Sequence, residues 1–220
     1  MDFKPEQLQA YFIMGTQDLQ PEQDFLTILK TALAAGITAF QFREKGPTAL
    51  TGADKLALAQ TCRQLTQAYQ VPLIIDDDIE LALAVHADGL HVGQKDEGIE
   101  ATLAQVQQRL FVGYSCSTVA EVEHANQLDQ IAYLGSGPIY PTGSKADADP
   151  VIGLAGLEKL VGLSRCPIVA IGGITAAHLN DIAATGAAGV SVISMITQSK
   201  HITDSVQAMR QAFGGEATHG

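Results

Sequence analysis

Ile168-Val-Ala-Ile-Gly-Gly-Ile174, followed by Gly189-Val-Ser-Val-Ile-Ser194, decides how this chain is read. Each stretch is a short apolar run ending in small or hydroxyl residues. A run without polar alternation suits a parallel strand covered on both faces. Glycine at the end of such a strand lets the backbone approach a ligand and leaves amide N–H groups to donate. Two such ends near the C-terminus suggest the phosphate site of a (β/α)8 barrel, which is built after strands seven and eight. The plainer alternative is that Gly172 and Gly173 only make a tight turn.

Upstream, strand-like runs alternate with helical patterns. Ala10–Met14, Thr38–Phe42, Leu73–Ile75, Gly89–Val92, Phe111–Ser115 and Ile131–Gly135 read as strands one to six. Phe25, Ile28, Leu29 and Leu33 mark a first helix closed by Gly36. A long helix after Thr51 carries Leu56, Leu58, Cys62, Leu65 and Tyr69. Further helices are predicted over Ile79–Val85, 99–109, Thr118–Gln127 with Ser117 as cap, Leu154–Val161, 176–184 and 203–213. The segment Ser136–Gly153 is a long loop, and loops beyond about 12 residues in compact domains are usually functional or disordered. Eight strand–helix alternations predict an α/β protein, a single-domain (β/α)8 TIM barrel over residues 1–213, with 214–220 as a frayed tail. An open doubly wound sheet is the runner-up.

The bulk properties narrow the function. The 220 residues carry a net charge of −11, which argues against nucleic-acid or anionic-membrane binding. A phosphorylated small molecule would be repelled at long range, so local cations or a metal ion must gather at its site. No apolar run approaches the about 20 residues that span a bilayer, and the N-terminus lacks a signal-peptide pattern. The three cysteines, Cys62, Cys116 and Cys166, match no zinc spacing, and a reducing cytoplasm is the simplest setting. A homo-oligomer is left open.

In a barrel of this kind the ligand sits at the C-terminal mouth, among the loops after the strands. After strand two comes Gln41-Phe-Arg-Glu-Lys45, whose alternation puts Gln41, Arg43 and Lys45 on one face and Phe42 and Glu44 on the other. After strand three comes Asp76-Asp77-Asp78. Adjacent carboxylates repel unless a cation is present, and Mg2+ typically takes one or two of them plus phosphate oxygens and water. Asp78 suits the N-cap of the next helix, and Asp77 suits the metal. Asp96, after strand four, could supply a second carboxylate. His91 reads as a satisfied barrel histidine, Ser115 as a hydroxyl at the end of strand five, and Cys116 as a packed residue rather than a nucleophile. Gly137-Pro-Ile-Tyr-Pro-Thr-Gly-Ser-Lys145, after strand six, has the composition of a phosphate cradle without P-loop spacing.

Taken together, these segments resemble the thiamine phosphate synthase family. The resemblance rests on Gln-Phe-Arg-Glu-Lys at 41–45, Asp-Asp at 77–78, Ala-Asp-Gly-Leu-His-Val-Gly-Gln at 87–94 with Asp96, Gly-Pro-Ile-Tyr-Pro-Thr at 137–142 with Lys145, Ile-Gly-Gly-Ile at 171–174 and Val-Ile-Ser at 192–194. It implies an enzyme that joins hydroxymethylpyrimidine diphosphate to thiazole phosphate, giving thiamine monophosphate and diphosphate. It implies that Gln41, Phe42, Arg43, Glu44, Lys45, Asp76, Ser115 and Lys145 hold the pyrimidine diphosphate, with Arg43, Lys45, Ser115 and Lys145 as the catalytic set. It further implies that Asp77 and Asp96 hold Mg2+, and that Thr142, Gly143, Ser144, Gly173, Ile193 and Ser194 hold the thiazole phosphate. Three positions depart from the family. Asp76 stands where Asn is usual, Ser144 where Thr is common, and Ser117 where His is common, as it is in the related thiazole tautomerase. A tautomerase and a non-catalytic phosphate-binding barrel are the competing expectations.

Overall fold

A computed structural model of the chain describes residues 3–94, 96, 98–143 and 150–214. Its strands are β1 (Ala10–Met14), β2 (Ala39–Phe42), β3 (Leu73–Asp76), β4 (Gly89–Val92), β5 (Phe111–Ser115), β6 (Ile131–Ser136), β7 (Ile168–Ile171) and β8 (Gly189–Val192). The helices that follow them in turn are α1 (Phe25–Ala35), α2 (Gly52–Ala68), α3 (Ile79–Ala84), α4 (Ile99–Val106), α5 (Val119–Ala125), α6 (Gly153–Leu163), α7 (Leu179–Ala184), a short α8 (Ser194–Thr197) and α9 (Ile202–Phe213). Every strand pairs in parallel with its neighbours in chain order, and β1 closes on β8 through Tyr11 opposite Ser191 and Phe12 opposite Val192. That closure excludes the open sheet and makes the chain a single-domain (β/α)8 barrel. No described helix is long and apolar enough to cross a membrane.

Period-two alternation sorts the side chains into two cores. Tyr11, Ile13, Ala39, Ile74, Tyr133 and Val169 fill the barrel interior. Phe12, Met14, Phe40, Phe42, Leu73 and Ile75 point outward into the larger core beneath the helices. There the Phe25 ring of α1 meets Phe40 and Phe42 edge-on. Inside, Gly113 leaves room for the Tyr133 ring, which a Cβ at that position would strike.

Several boundaries differ from the reading of the sequence, each for a local reason. β8 stops at Val192 instead of running to Ser194, because Ile193 turns out of the extended region and Ser194 opens α8. α4 ends at Val106, short of residue 109, because Gln107 and Gln108 both adopt positive φ. α5 is capped by Thr118, not Ser117: the Thr118 hydroxyl accepts from the Glu121 N–H, and Glu121 returns the bond, so the capping box sits one residue later. Thr51 holds the N-cap position of α2 without a side-chain cap bond. Two short 3-10 turns, Pro5–Leu8 and Thr16–Asp18, had no periodic signal to mark them.

Candidate active site

The C-terminal ends of the strands surround a cavity of about 280 Å³. Arg43, Lys45, Asp76, Asp96, Ser115, Thr142, Gly173, Ile193 and Ser194 all line it. Residues predicted from seven separate segments thus meet at one mouth.

The extended chain past β2 carries Arg43 and Lys45 to the rim. Arg43 is buried, and its Nε lies 3.3 Å from Asp76 Oδ2 at the end of β3. Asp76 therefore faces a guanidinium, which explains how a carboxylate is accommodated here. Lys45 Nζ donates to Asp77 Oδ2 at 2.6 Å and to Asp96 Oδ1 at 2.9 Å. Burial alone would lower the Lys45 pKa, but these two bonds raise it above the usual lysine range. Burial alone would likewise raise that of Asp96; Lys45 and the Gly93 N–H, which donates to Asp96 Oδ2 at 2.8 Å, hold it lower instead.

Asp77 reaches Lys45 from an unusual backbone. Its φ is +51°, while its N–H donates to the His91 carbonyl at 2.9 Å. Aspartate tolerates this left-handed region better than bulky residues do. Asp78, in contrast, caps α3 by accepting from the Leu81 N–H at 2.9 Å and pairs with Lys55. The three successive aspartates are thus separated by backbone geometry into a guanidinium partner, a rim ligand and a helix cap.

Asp77 and Asp96 fit a divalent cation. The Lys45 ammonium spans the gap between them, showing that one compact positive group satisfies both carboxylates at once. Among the described residues no three His, Cys, Asp or Glu side chains converge on a metal. An ion held here would take its other ligands from phosphate and water, as Mg2+ commonly does.

Other predicted residues lie elsewhere. Phe42 is buried against Phe25 outside the barrel. Glu44 accepts from the Thr16 N–H and hydroxyl and from the Leu50 N–H, fixing the loops behind the rim. Neither lines the cavity, because strand alternation turns both away. Gln41 sits below the mouth, buried, donating to the Tyr11 hydroxyl at 2.8 Å. Gly143 is exposed and is not among the lining residues. Ser144 and Lys145 lie outside the described residues. Cys116 is buried beneath Gln94, and burial pushes its thiol up to about 12, so it stays protonated rather than acting as a nucleophile.

Gln94, Ser117 and Ser191 also line the mouth, without being predicted as ligands from the strand ends. Gln94 donates to the Ser115 carbonyl at 2.7 Å and accepts from the Tyr114 hydroxyl at 2.9 Å. A glutamine two residues beyond a strand carries no periodic signal that marks such a tie.

On the opposite side, Gly172 and Gly173 end β7 with φ of +99° and +65°. A Cβ on Gly173 would stand 2.6 Å from the Pro141 carbonyl and 2.7 Å from that of Tyr140. The pair is therefore more than a turn: it lets the 137–142 segment lie directly on the strand end. Gly173→Ala is expected to destabilise the protein by about 2–4 kcal/mol, from the left-handed backbone and the overlap together. Gly162→Ala, in α6 with open space around it, should be neutral or stabilising by up to about 1 kcal/mol. Urea denaturation of both variants checks this, and equal stabilities would count against the close approach.

Comparison with known proteins points the same way. The family described as thiamine monophosphate synthase matches residues 10–196. A thiamine-phosphate synthase of Lactiplantibacillus plantarum is 57% identical, over 98% of this chain and 99% of that protein. One from Levilactobacillus brevis is 55% identical, over 96% and 97%. Among solved structures, a thiamine phosphate pyrophosphorylase from Pyrococcus furiosus superposes with a TM-score of 0.81 at 30% identity, covering 96% of this chain and 98% of its own.

Proposed function

The chain belongs to the thiamine monophosphate synthase family and acts in thiamine biosynthesis as a thiamine-phosphate synthase, and we propose that the cationic rim around Arg43 and Lys45 performs its chemistry by drawing diphosphate off a pyrimidine. The substrates are hydroxymethylpyrimidine diphosphate and thiazole phosphate. The C–O bond between the pyrimidinylmethyl carbon and the diphosphate breaks first, its electron pair leaving with the diphosphate. The ring-stabilised cation is then captured by the thiazole nitrogen lone pair, forming the C–N bond of thiamine monophosphate. No proton need be moved, so no acid–base pair is required. The observation that carries this reading is the convergence of Arg43, Lys45, Asp77, Asp96 and Ser115 on one rim.

Arg43, Lys45 and Ser115 grip the diphosphate, joined by Lys145. Their donors meet charge that grows as the bond breaks, which is where such contacts lower a barrier most. Asp77 and Asp96 would hold Mg2+, which supplies Lewis-acid stabilisation of phosphate oxygens. With the two carboxylates so occupied, Lys45 would be free to turn from them towards the diphosphate. Thr142, Gly173, Ile193 and Ser194 hold the thiazole phosphate across the mouth, where the Gly172–Gly173 end brings backbone near the cavity, and Ser144 is assigned to the same phosphate from the sequence alone. The three described cysteines are unpaired, in keeping with a reducing cytoplasm.

Mixing both substrates with Mg2+ should release diphosphate and form thiamine monophosphate in equal amounts. A tautomerase would isomerise its thiazole without releasing diphosphate, and a binding protein would release nothing. Asp76 sets the ion requirement: with Asp76, Asp77 and Asp96 at the rim, three carboxylates face Arg43 and Lys45. Asp76→Asn is therefore expected to lower the Mg2+ concentration that gives half-maximal rate. Identical Mg2+ titrations for the two proteins would refute that role.

A further inference from the structure

A chain of buried hydrogen bonds runs through the barrel to the cavity. Gln41 Nε2 donates to the Tyr11 hydroxyl at 2.8 Å. The Tyr11 and Tyr133 hydroxyls are 2.9 Å apart. Tyr133 Oη lies 3.0 Å from His91 Nδ1, and His91 Nε2 lies 3.0 Å from Ser115 Oγ. The chain links β2, β1, β6, β4 and β5, and its four inner members are buried. Phe3 and Phe111 pack on the Tyr133 ring and separate it from solvent.

We propose that His91 is a positioning residue, held as its Nε2–H tautomer by the Gln41–Tyr11–Tyr133 chain so that it donates to Ser115 Oγ and leaves the Ser115 hydrogen directed at an anionic oxygen in the cavity. The reason is a count of hydrogens. Each phenol supplies one hydrogen, and a neutral imidazole supplies one. Burial raises both tyrosines well above their usual range, so both keep their protons. Gln41 donates to Tyr11, so Tyr11 donates to Tyr133, and Tyr133 donates to Nδ1. The ring hydrogen must then be on Nε2, facing Ser115. Ser115 accepts that bond, and its own hydrogen is left for a ligand in the mouth. The opposite polarity, with the Gln41 oxygen against Tyr11, would turn the Ser115 hydrogen inward and present lone pairs to the diphosphate.

The proposal rests on the reading of Ser115 as a diphosphate contact, and the test separates the two. In the full-length protein labelled with 15N-histidine, long-range 1H–15N correlation reports the tautomer without substrate, with His91→Gln assigning the signal among the six histidines. The expected result is an Nε2–H ring in the wild type at neutral pH. Tyr133→Phe should lose that single-tautomer signature and lower kcat about tenfold with little change in KM. Combined with Ser115→Ala, it should cost nothing beyond Ser115→Ala alone. An Nδ1–H or doubly protonated His91 in the wild type would overturn the proposal, whatever becomes of the variants. Full turnover in Ser115→Ala, with the tautomer intact, would instead overturn the diphosphate contact and with it the purpose of the chain.

Discussion

Arg43→Ala is expected to lower turnover about a hundredfold or more. The residue is buried at the end of β2, where its fork of donors faces the cavity and Asp76. Removing one preorganised donor to developing charge typically costs about 2.7–4 kcal/mol of barrier. The loss has a second candidate cause, since the variant also strips Asp76 of its guanidinium. The Arg43→Ala/Asp76→Asn double variant separates them. If Arg43 acts on the leaving group, neutralising Asp76 leaves turnover low; if it merely balances Asp76, the double variant recovers. Arg43→Lys should fall between wild type and Arg43→Ala, because an ammonium keeps the charge and loses the planar fork. Steady-state diphosphate release on the four proteins decides the matter, and near-wild-type turnover in Arg43→Ala would remove the assigned role.

Asp96→Asn is the other large effect. At the Mg2+ concentration that saturates the wild type the rate should fall about a hundredfold or more, because Lewis-acid stabilisation of the departing phosphate is worth several kcal/mol. Asp96 is suited to hold an ion: Lys45 and the Gly93 N–H keep its carboxyl below the usual range, so it is charged at neutral pH. An amide keeps the shape and the Gly93 bond while losing the charge. Lys45 then bonds only Asp77, so a part of the lost rate should return as Mg2+ is raised. Asp77→Asn should behave alike. A variant with unchanged rate and unchanged Mg2+ response would show that Asp96 serves only to anchor Lys45.

The chemistry of the strand ends was readable in advance, because alternation is a local property. Gln41, Arg43 and Lys45 share a face in the sequence and an inward direction in the barrel, while Phe42 and Glu44 turn away to α1 and to Thr16. That same alternation argued against placing Phe42 and Glu44 on the substrate. The division of Asp76, Asp77 and Asp78 was only partly legible: the cap on α3 follows from residue type, but the positive φ of Asp77 depends on the β4 backbone that receives its N–H. The Tyr11–Tyr133 bond was invisible, since it joins residues 122 positions apart and arises only when the barrel closes. The end of β8 is not marked in the sequence, because Val192-Ile-Ser continues an apolar run through a point where the backbone turns.

In the proposed chemistry Asp77 and Asp96, here bridged by Lys45, form a divalent-cation site that works with Arg43 on a diphosphate. Crystals grown with Mn2+ and diphosphate test it directly through anomalous scattering. The expected result is a metal peak between the two carboxylates, with a diphosphate oxygen in its coordination shell and Lys45 moved onto the diphosphate. A peak elsewhere, or diphosphate bound with Lys45 still bridging Asp77 and Asp96, would contradict it.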